Sequence, residues 1–258
     1  MTAMPDTSPT TVTAAALAIG DELLSGRTKD KNIAHLAEML TASGIALEEV
    51  RIVPDDQDRI VEALNALRAR YDYVFTSGGI GPTHDDITAD AVAAAFGIGC
   101  DHDPDALELL GDHYAERGLE FTPARRRMAR MPVGSRHIAN PVSCAPGFIT
   151  GNVHVMAGVP SVFQAMLDNV LPTLKTGVKM LSDKVSCPFG EGDIGDPLSA
   201  IAKAHPDVNI GSYPRFSGQG FSTEIVIRGH DLTAISAARL DVEAMLERLT
   251  GDTHPSPA

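Results

Sequence analysis

The sequence has no tryptophan, only 4 tyrosines and 3 cysteines among its 258 residues, and no apolar run approaching the roughly 20 residues needed to cross a bilayer. Scarce aromatics argue against a stacking surface for single-stranded nucleic acid. Basic residues are also few. The 21 Lys and Arg face 34 Asp and Glu, and the resulting formal charge of −13 repels a phosphate backbone. The expected partners therefore include no nucleic acid and no membrane. A nucleotide-sized ligand stays open, because local amides and a metal can overcome an unfavourable global field.

Cys100, Cys144 and Cys187 are too widely spaced for a zinc ribbon or finger, and an odd count offers no secreted disulfide framework. Each reads as a free thiol. The opening "MTAMPDTSPT" lacks the basic segment of a signal peptide, so a cytoplasmic location is expected. Recognised nucleophile and phosphate motifs are missing too. Ser77 precedes two glycines but does not form a GxSxG elbow, and the loop after it has neither the lysine of a P-loop nor the dinucleotide fingerprint.

What is present is alternation. Thr13 to Ile19 is apolar enough for a strand covered on both faces. Ile33, Leu36, Ala37 and Leu40 recur at helical spacing, and Ala46 to Val53 is a second strand. Ile60, Leu64 and Leu67 mark a helix, "YDYVFTSGG" a third strand, and Ala89, Val92, Ala93 and Phe96 the inward face of the next helix. Helices are expected over Pro104–Arg117 and Pro123–Met131. "FITGNVHVMAGVP" reads as a hairpin, succeeded by a helix carrying Phe163, Met166, Leu167, Val170 and Leu171.

Beyond a boundary near Thr176 to Lys184, strands are expected at 184–188, 209–213 and 222–228. A closing helix carries Leu232, Ile235, Ala238, Val242, Met245 and Leu249. The fold class is α/β: three layers on a mostly parallel sheet, with a smaller C-terminal α/β region. The expected division is a flexible tail over 1–12, a main domain over 13–176, an accessory domain over 184–250 and a second tail over 251–258.

Two strand ends concentrate the chemistry, "AIGDELLSG" and "TSGGIGPTHDDITADA". In a doubly wound sheet, ligands bind at the carboxyl ends of the strands. Gly78, Gly79 and Gly81 permit close backbone approach, Pro82 stiffens the turn, and Thr83 and Asp86 offer oxygens near a helix start. Asp21 and Glu22 are either part of a Mg²⁺ site or ordinary helix-start acids, Asp21 being the better metal candidate. The run Arg125, Arg126, Arg127 and then Arg130 lines an anion site or forms a solvated helix face. His84 lies in the glycine loop. His35 reads as a boundary residue.

The segments "IGDELLSG", "DKNIAHLAEML", "TSGGIGPTHDDITADAVAAAFG", "NPVSCAPG" and "AGVPSVFQAML" span most of residues 13 to 175. In order and separation they resemble the MoaB/Mog molybdopterin-binding-like family and, more closely, the amino-terminal part of the competence/damage-inducible protein A family. "IGSYPRF", with the strand and helix after it, resembles the small domain next in those proteins. Nothing corresponds to their amidohydrolase domain, so that activity is not implied.

The resemblance implies a small phosphorylated ligand, molybdopterin or a nucleotide, together with Mg²⁺ or another divalent cation and a homo-oligomer. Relatives are associated with molybdenum-cofactor biosynthesis or, alternatively, with metal-dependent hydrolysis of ADP-ribose. Carried over residue by residue, the ligand set is Gly20, Asp21, Glu22, Asn32, Gly78, Gly79, Gly81, Pro82, Thr83, Asp85, Asp86 and Thr88, with Gly158 and Pro160 in the last motif. Asp21 and Asp86 are the expected metal ligands. In a pyrophosphatase they would position the cation against a diphosphate for attack by water.

The sequence also departs from the family. Arg127, Met128 and Ala129 replace a usual lysine-glutamine-alanine segment, with Arg127 expected to keep contact with phosphate through its fork of donors. Ser143 and Cys144 replace glycine-threonine. Ala157 replaces a proline, and Val162 replaces a glutamate, which removes a side chain able to ligate metal or orient water.

Overall fold

The computed structural model describes residues 11–217 and 220–253, and the chain divides into two units, Met1–Gly177 and Val178–Ala258. Strand β1 (Val12–Ile19) has almost no polar side chain, and from Ala14 onward every residue is buried. Such a strand is stable only between two neighbours and under two layers. It lies in parallel between β2 (Ile45–Val53) and β3 (Tyr73–Ser77).

Successive β1 side chains enter opposite cores, Ala15, Leu17 and Ile19 on one side and Ala14 and Ala16 on the other. After β1 come the single turn α1 (Asp21–Leu24) and helix α2 (Asn32–Ala42). Helix α2 buries Leu36 and Leu40 in the second core. Helix α3 (Gln57–Arg70) buries Ile60, Leu64 and Leu67 in the first. Truncating one of these leucines to alanine costs about 2–5 kcal/mol.

Helix α4 (Thr88–Phe96) packs its alanine face on the first core and ends at Gly97 in the left-handed conformation. Strand β4 (Cys100–His102) precedes α5 (Pro104–Glu116), where Asp103 accepts from the N–H of Ala106 as N-cap and Pro104 opens the first turn. The expected helix over 123–131 is not continuous. α6 (Pro123–Arg126) gives way to a 3₁₀ turn at Arg127–Ala129 and then to β5 (Arg130–Pro132), antiparallel to β4. Burial of Ala129 and Met131 and the pairing of Arg130 with Asp90 outweigh the local helical pattern there.

The last strands of the unit are β6 (Arg136–Ile138), β7 (Gly147–Thr150) and β8 (Val153–Met156). As expected, β7 and β8 form an antiparallel hairpin, and β8 also runs parallel to β3. The six-stranded order is β2-β1-β3-β8-β7-β6. Helix α7 (Pro160–Val170) returns over the second core with Phe163, Met166 and Leu167 fully buried. The α/β architecture with a mostly parallel central sheet is thus the one the alternation implies.

The second unit is antiparallel. Strands β9 (Leu181–Cys187), β10 (Val208–Ser217) and β11 (Gly220–Gly229) order as β10-β11-β9. Helices α8 (Glu191–Ala204) and α9 (Leu232–Thr253) supply Ile194, Leu198, Ile201, Ile235, Ala238, Val242 and Met245 to its core. Helix α8 has no counterpart among the sequence expectations, β9 starts three residues before 184, and α9 extends past 250 to Thr253. Of the expected tails, residues 1–10 and 254–258 lie outside the described residues, while Val12 already belongs to β1. Among the described residues no helix is long and apolar enough to cross a membrane.

Candidate ligand crevice

Leaving β1, the chain crosses by α2 on one face to β2, and from β2 by α3 on the other face to β3. The carboxyl end of β1 is therefore a topological switch point, where a crevice must open. It holds a cavity of about 570 Å³. Gly20 ends β1, the Gly78–Gly81 loop ends β3, Asp55 comes after β2, and Ala157 to Pro160 come after β8. All four strand ends contribute to the lining.

The glycines are required sterically. Gly78 has φ +110°, and a Cβ there would overlap the carbonyl oxygen of Ile19; Gly79 has φ +69°, and a Cβ there would overlap Oγ1 of Thr88. Thr88 is fully buried. Its Oγ1 donates to Gly78 O at 3.0 Å and its N–H to Gly79 O at 3.0 Å, so the start of α4 fixes the loop. Within that loop no acceptor among the described residues takes the N–H groups of Gly79, Ile80 and Gly81. Successive free amides beside a helix N-terminus are donors suited to an anion.

Of the residues expected in the site, Gly20, Glu22, Gly78, Gly79, Gly81, Pro82, Asp85, Asp86, Gly158 and Pro160 line the cavity together. Five others do not. Asp21 is exposed, and its backbone N–H donates to Asp55 Oδ2 at 3.0 Å. Asn32 lies beneath the lining, tied to Ser77 and Gly158. Thr83 gives its N–H and hydroxyl to Asp86 Oδ2 at 2.7 and 2.5 Å, and Thr88 supports the loop from below.

Arg127, expected at a phosphate, instead donates to the carbonyls of Thr83 and Asp86 at 3.2 and 3.3 Å and clasps the loop through its backbone. The other arginines of the run are also engaged. Arg125 and Arg126 lie over the rings of Tyr114 and Phe121, and Arg130 pairs with Asp90. His84 is fully exposed, with its Nδ1 4.0 Å from Asp85 Oδ1.

Sequence reasoning missed Asp55, Asn140 and Ser143, which line the cavity. Burial pushes the Asp55 carboxyl above its usual range, with Asp21, Glu22 and Asp85 adding like charge, while the Asp21 N–H acts the other way. The signal for Asp55 was the pair in "VPDDQD". Asp56 caps α3 by accepting from Arg59, which leaves its neighbour unassigned at a strand end.

Asn140 builds the "NPVSCAPG" turn. Its amide donates to Ser143 Oγ and Ala145 O at 2.7 and 2.8 Å, while Oδ1 accepts from Val142 and Ser143. Apolar lining comes from Ile80, Met128, Val159 and Val162. Among the described residues no three His, Cys, Asp or Glu side chains converge as a metal centre.

Residues 15–176 match a family model described as a probable molybdopterin binding domain, and residues 179–251 match the middle domain of FAD synthase. A protein of Pyrobaculum arsenaticum is 37% identical over 208 residues, covering 77% of this chain and 78% of its own length. A CinA-like protein of Desulfosudis oleivorans is 35% identical over 214 residues, 79% of this chain, which spans about half (52%) of that protein. Among solved structures, CinA of Thermoplasma acidophilum, a protein of unknown function, aligns with TM-score 0.58 and 34% identity over 63% of this chain and 98% of its own.

Proposed function

Residues 15–176 place the chain in the molybdopterin-binding-domain family, of the MoaB/Mog type carried by CinA proteins, and from that premise we propose that the crevice binds a small phosphorylated heterocycle, molybdopterin-like or a nucleotide. The free N–H groups of Gly79, Ile80 and Gly81 carry this reading, because three adjacent backbone donors at a strand-to-helix turn suit phosphate oxygens without any lysine. The apolar side chains of Ile80, Met128 and Val162 give a flat ring dry contact within the same cavity. A divalent cation such as Mg²⁺ is part of the proposal, since the lining carboxylates need neutralising before an anion can enter.

Native mass spectrometry of gently purified protein, with identification of any released pterin, AMP or ADP-ribose, tests the reading. Calorimetric titration with ADP provides an independent arm. Retained or added phosphorylated heterocycle at one per chain supports it, and no binding in either arm rejects it. Product analysis after incubation with ADP-ribose and Mg²⁺ separates a binding protein from a pyrophosphatase, for which Val162 supplies no polar group. Sedimentation velocity tests the homo-oligomer implied by the resemblance.

A further inference from the structure

Among the described residues the cavity is lined by Glu22, Asp55, Asp85 and Asp86 and by no lysine, arginine or histidine. A phosphate entering alone therefore meets like charge on several sides, in a crevice that water screens less well than the open surface. The expected escape, a metal resident on Asp21 and Asp86, does not fit the side chains. Asp21 is outside the lining, and Asp86 and Asp55 each have one oxygen engaged, Asp86 Oδ2 by the N–H and hydroxyl of Thr83 and Asp55 Oδ2 by the Asp21 N–H, which leaves each a single oxygen for a cation. Among the described residues no group of three ligating side chains converges. A small divalent cation held by only one or two carboxylates must take its remaining ligands from water and phosphate.

We infer that the crevice keeps no resident divalent metal and instead binds the cation and the phosphate as one complex, each raising the affinity of the other. This rests on the phosphorylated-ligand reading above. Phosphate oxygens complete the coordination that the protein leaves unfilled, the cation cancels the carboxylate field, and the loop amides take the outer oxygens. Such coupling is reciprocal by thermodynamic necessity. It also sets an unusual sign for charge removal. Asp55→Asn or Asp85→Asn relieves repulsion of a bare phosphate but weakens the hold on its metal complex.

The test is calorimetry joined to Mn²⁺ electron paramagnetic resonance on the full chain, with Mn²⁺ alone, ADP alone in EDTA, and both. Mn²⁺ alone is expected to stay free at millimolar concentration, and ADP to bind about tenfold more tightly, or better, with Mn²⁺ than in EDTA. Both variants should tighten ADP in EDTA and loosen it in Mn²⁺. The Asp85 side chain is 60% exposed, so its variant keeps the test independent of folding. Stoichiometric Mn²⁺ on the ligand-free chain, or ADP affinity indifferent to metal, overturns the inference and leaves the phosphorylated-ligand reading standing. Failure of ADP to bind under either condition overturns the two together.

Discussion

The side-chain amide of Asn32, at the start of α2, donates a 2.8 Å hydrogen bond to the carbonyl oxygen of Gly158, 126 residues later at the end of β8. Only its nitrogen can face that oxygen. The same nitrogen reaches Ser77 Oγ at 2.7 Å, and Oδ1 is left buried without a partner among the described residues. One side chain thus joins α2, the end of β3 and the segment after β8 beneath the cavity. Asn32→Asp keeps the shape but sets an acceptor against a carbonyl, at a cost of about 1–3 kcal/mol. Urea unfolding should register that loss, and a change below about 0.5 kcal/mol would remove Asn32 from the role.

Gly79→Val and Ala89→Val test two different mechanisms. At Gly79 the backbone is left-handed and Thr88 Oγ1 occupies the space of a Cβ, so valine must displace the loop and its free amides. Ala89 is 7% exposed on the inward face of α4, where overpacking costs about 1–3 kcal/mol of stability. Titration with ADP should show binding lost at Gly79→Val beyond what unfolding explains, and binding retained by the folded fraction of Ala89→Val. Equal binding losses that track stability would defeat the distinction.

The parts legible in the sequence are those where one physical cause dominates. Strand β1 could be placed because consecutive apolar residues have no other comfortable position, and α3 because Ile60, Leu64 and Leu67 repeat at the helical period. Helix α8 was hidden by its own residues. Gly192, Gly195 and Pro197 each disfavour a helix locally, and only burial of Ile194, Leu198 and Ile201 against the second-unit sheet holds it. In the crevice, glycines and acids beside apolar strands could be read, whereas Arg127 could not. Its type fits both a phosphate contact and a loop clasp, and only the distances to Thr83 O and Asp86 O separate them.

The clasp makes Arg127→Lys informative. Lysine cannot span two carbonyls with a planar fork, so the glycine loop loses support worth about 1 kcal/mol. Because the contact is to the backbone of the loop whose amides are proposed to take the phosphate, binding of ADP should weaken more than that of adenosine, with little change across a salt series. Calorimetry on one preparation compares the two ligands directly. A loss confined to ADP and erased by salt would return Arg127 to the phosphate.

His154 gives the molecule a pH dependence whose sign is fixed by its surroundings. It is 3% exposed on β8, with ring centroids 5.6 Å from Tyr73 and 5.1 Å from Phe75, and Nδ1 faces the carbonyl of Asn152 at 3.3 Å. Burial pushes its pKa from 6.5 down to about 4, and the Asn152 carbonyl only partly offsets this. The folded chain therefore holds His154 neutral at pH values where the unfolded chain already takes up a proton. Stability from this group is fully present above pH 6.5 and is lost as the pH falls from 6.5 to about 4, the whole effect reaching about 3 kcal/mol. His154→Phe keeps a ring between the aromatic neighbours and removes the titration. Urea midpoints measured from about pH 7.5 to about pH 4.5 should fall more steeply for the parent than for the variant. Parallel curves would mean that His154 takes up its proton without unfolding, and would place the acid sensitivity in the carboxylates instead.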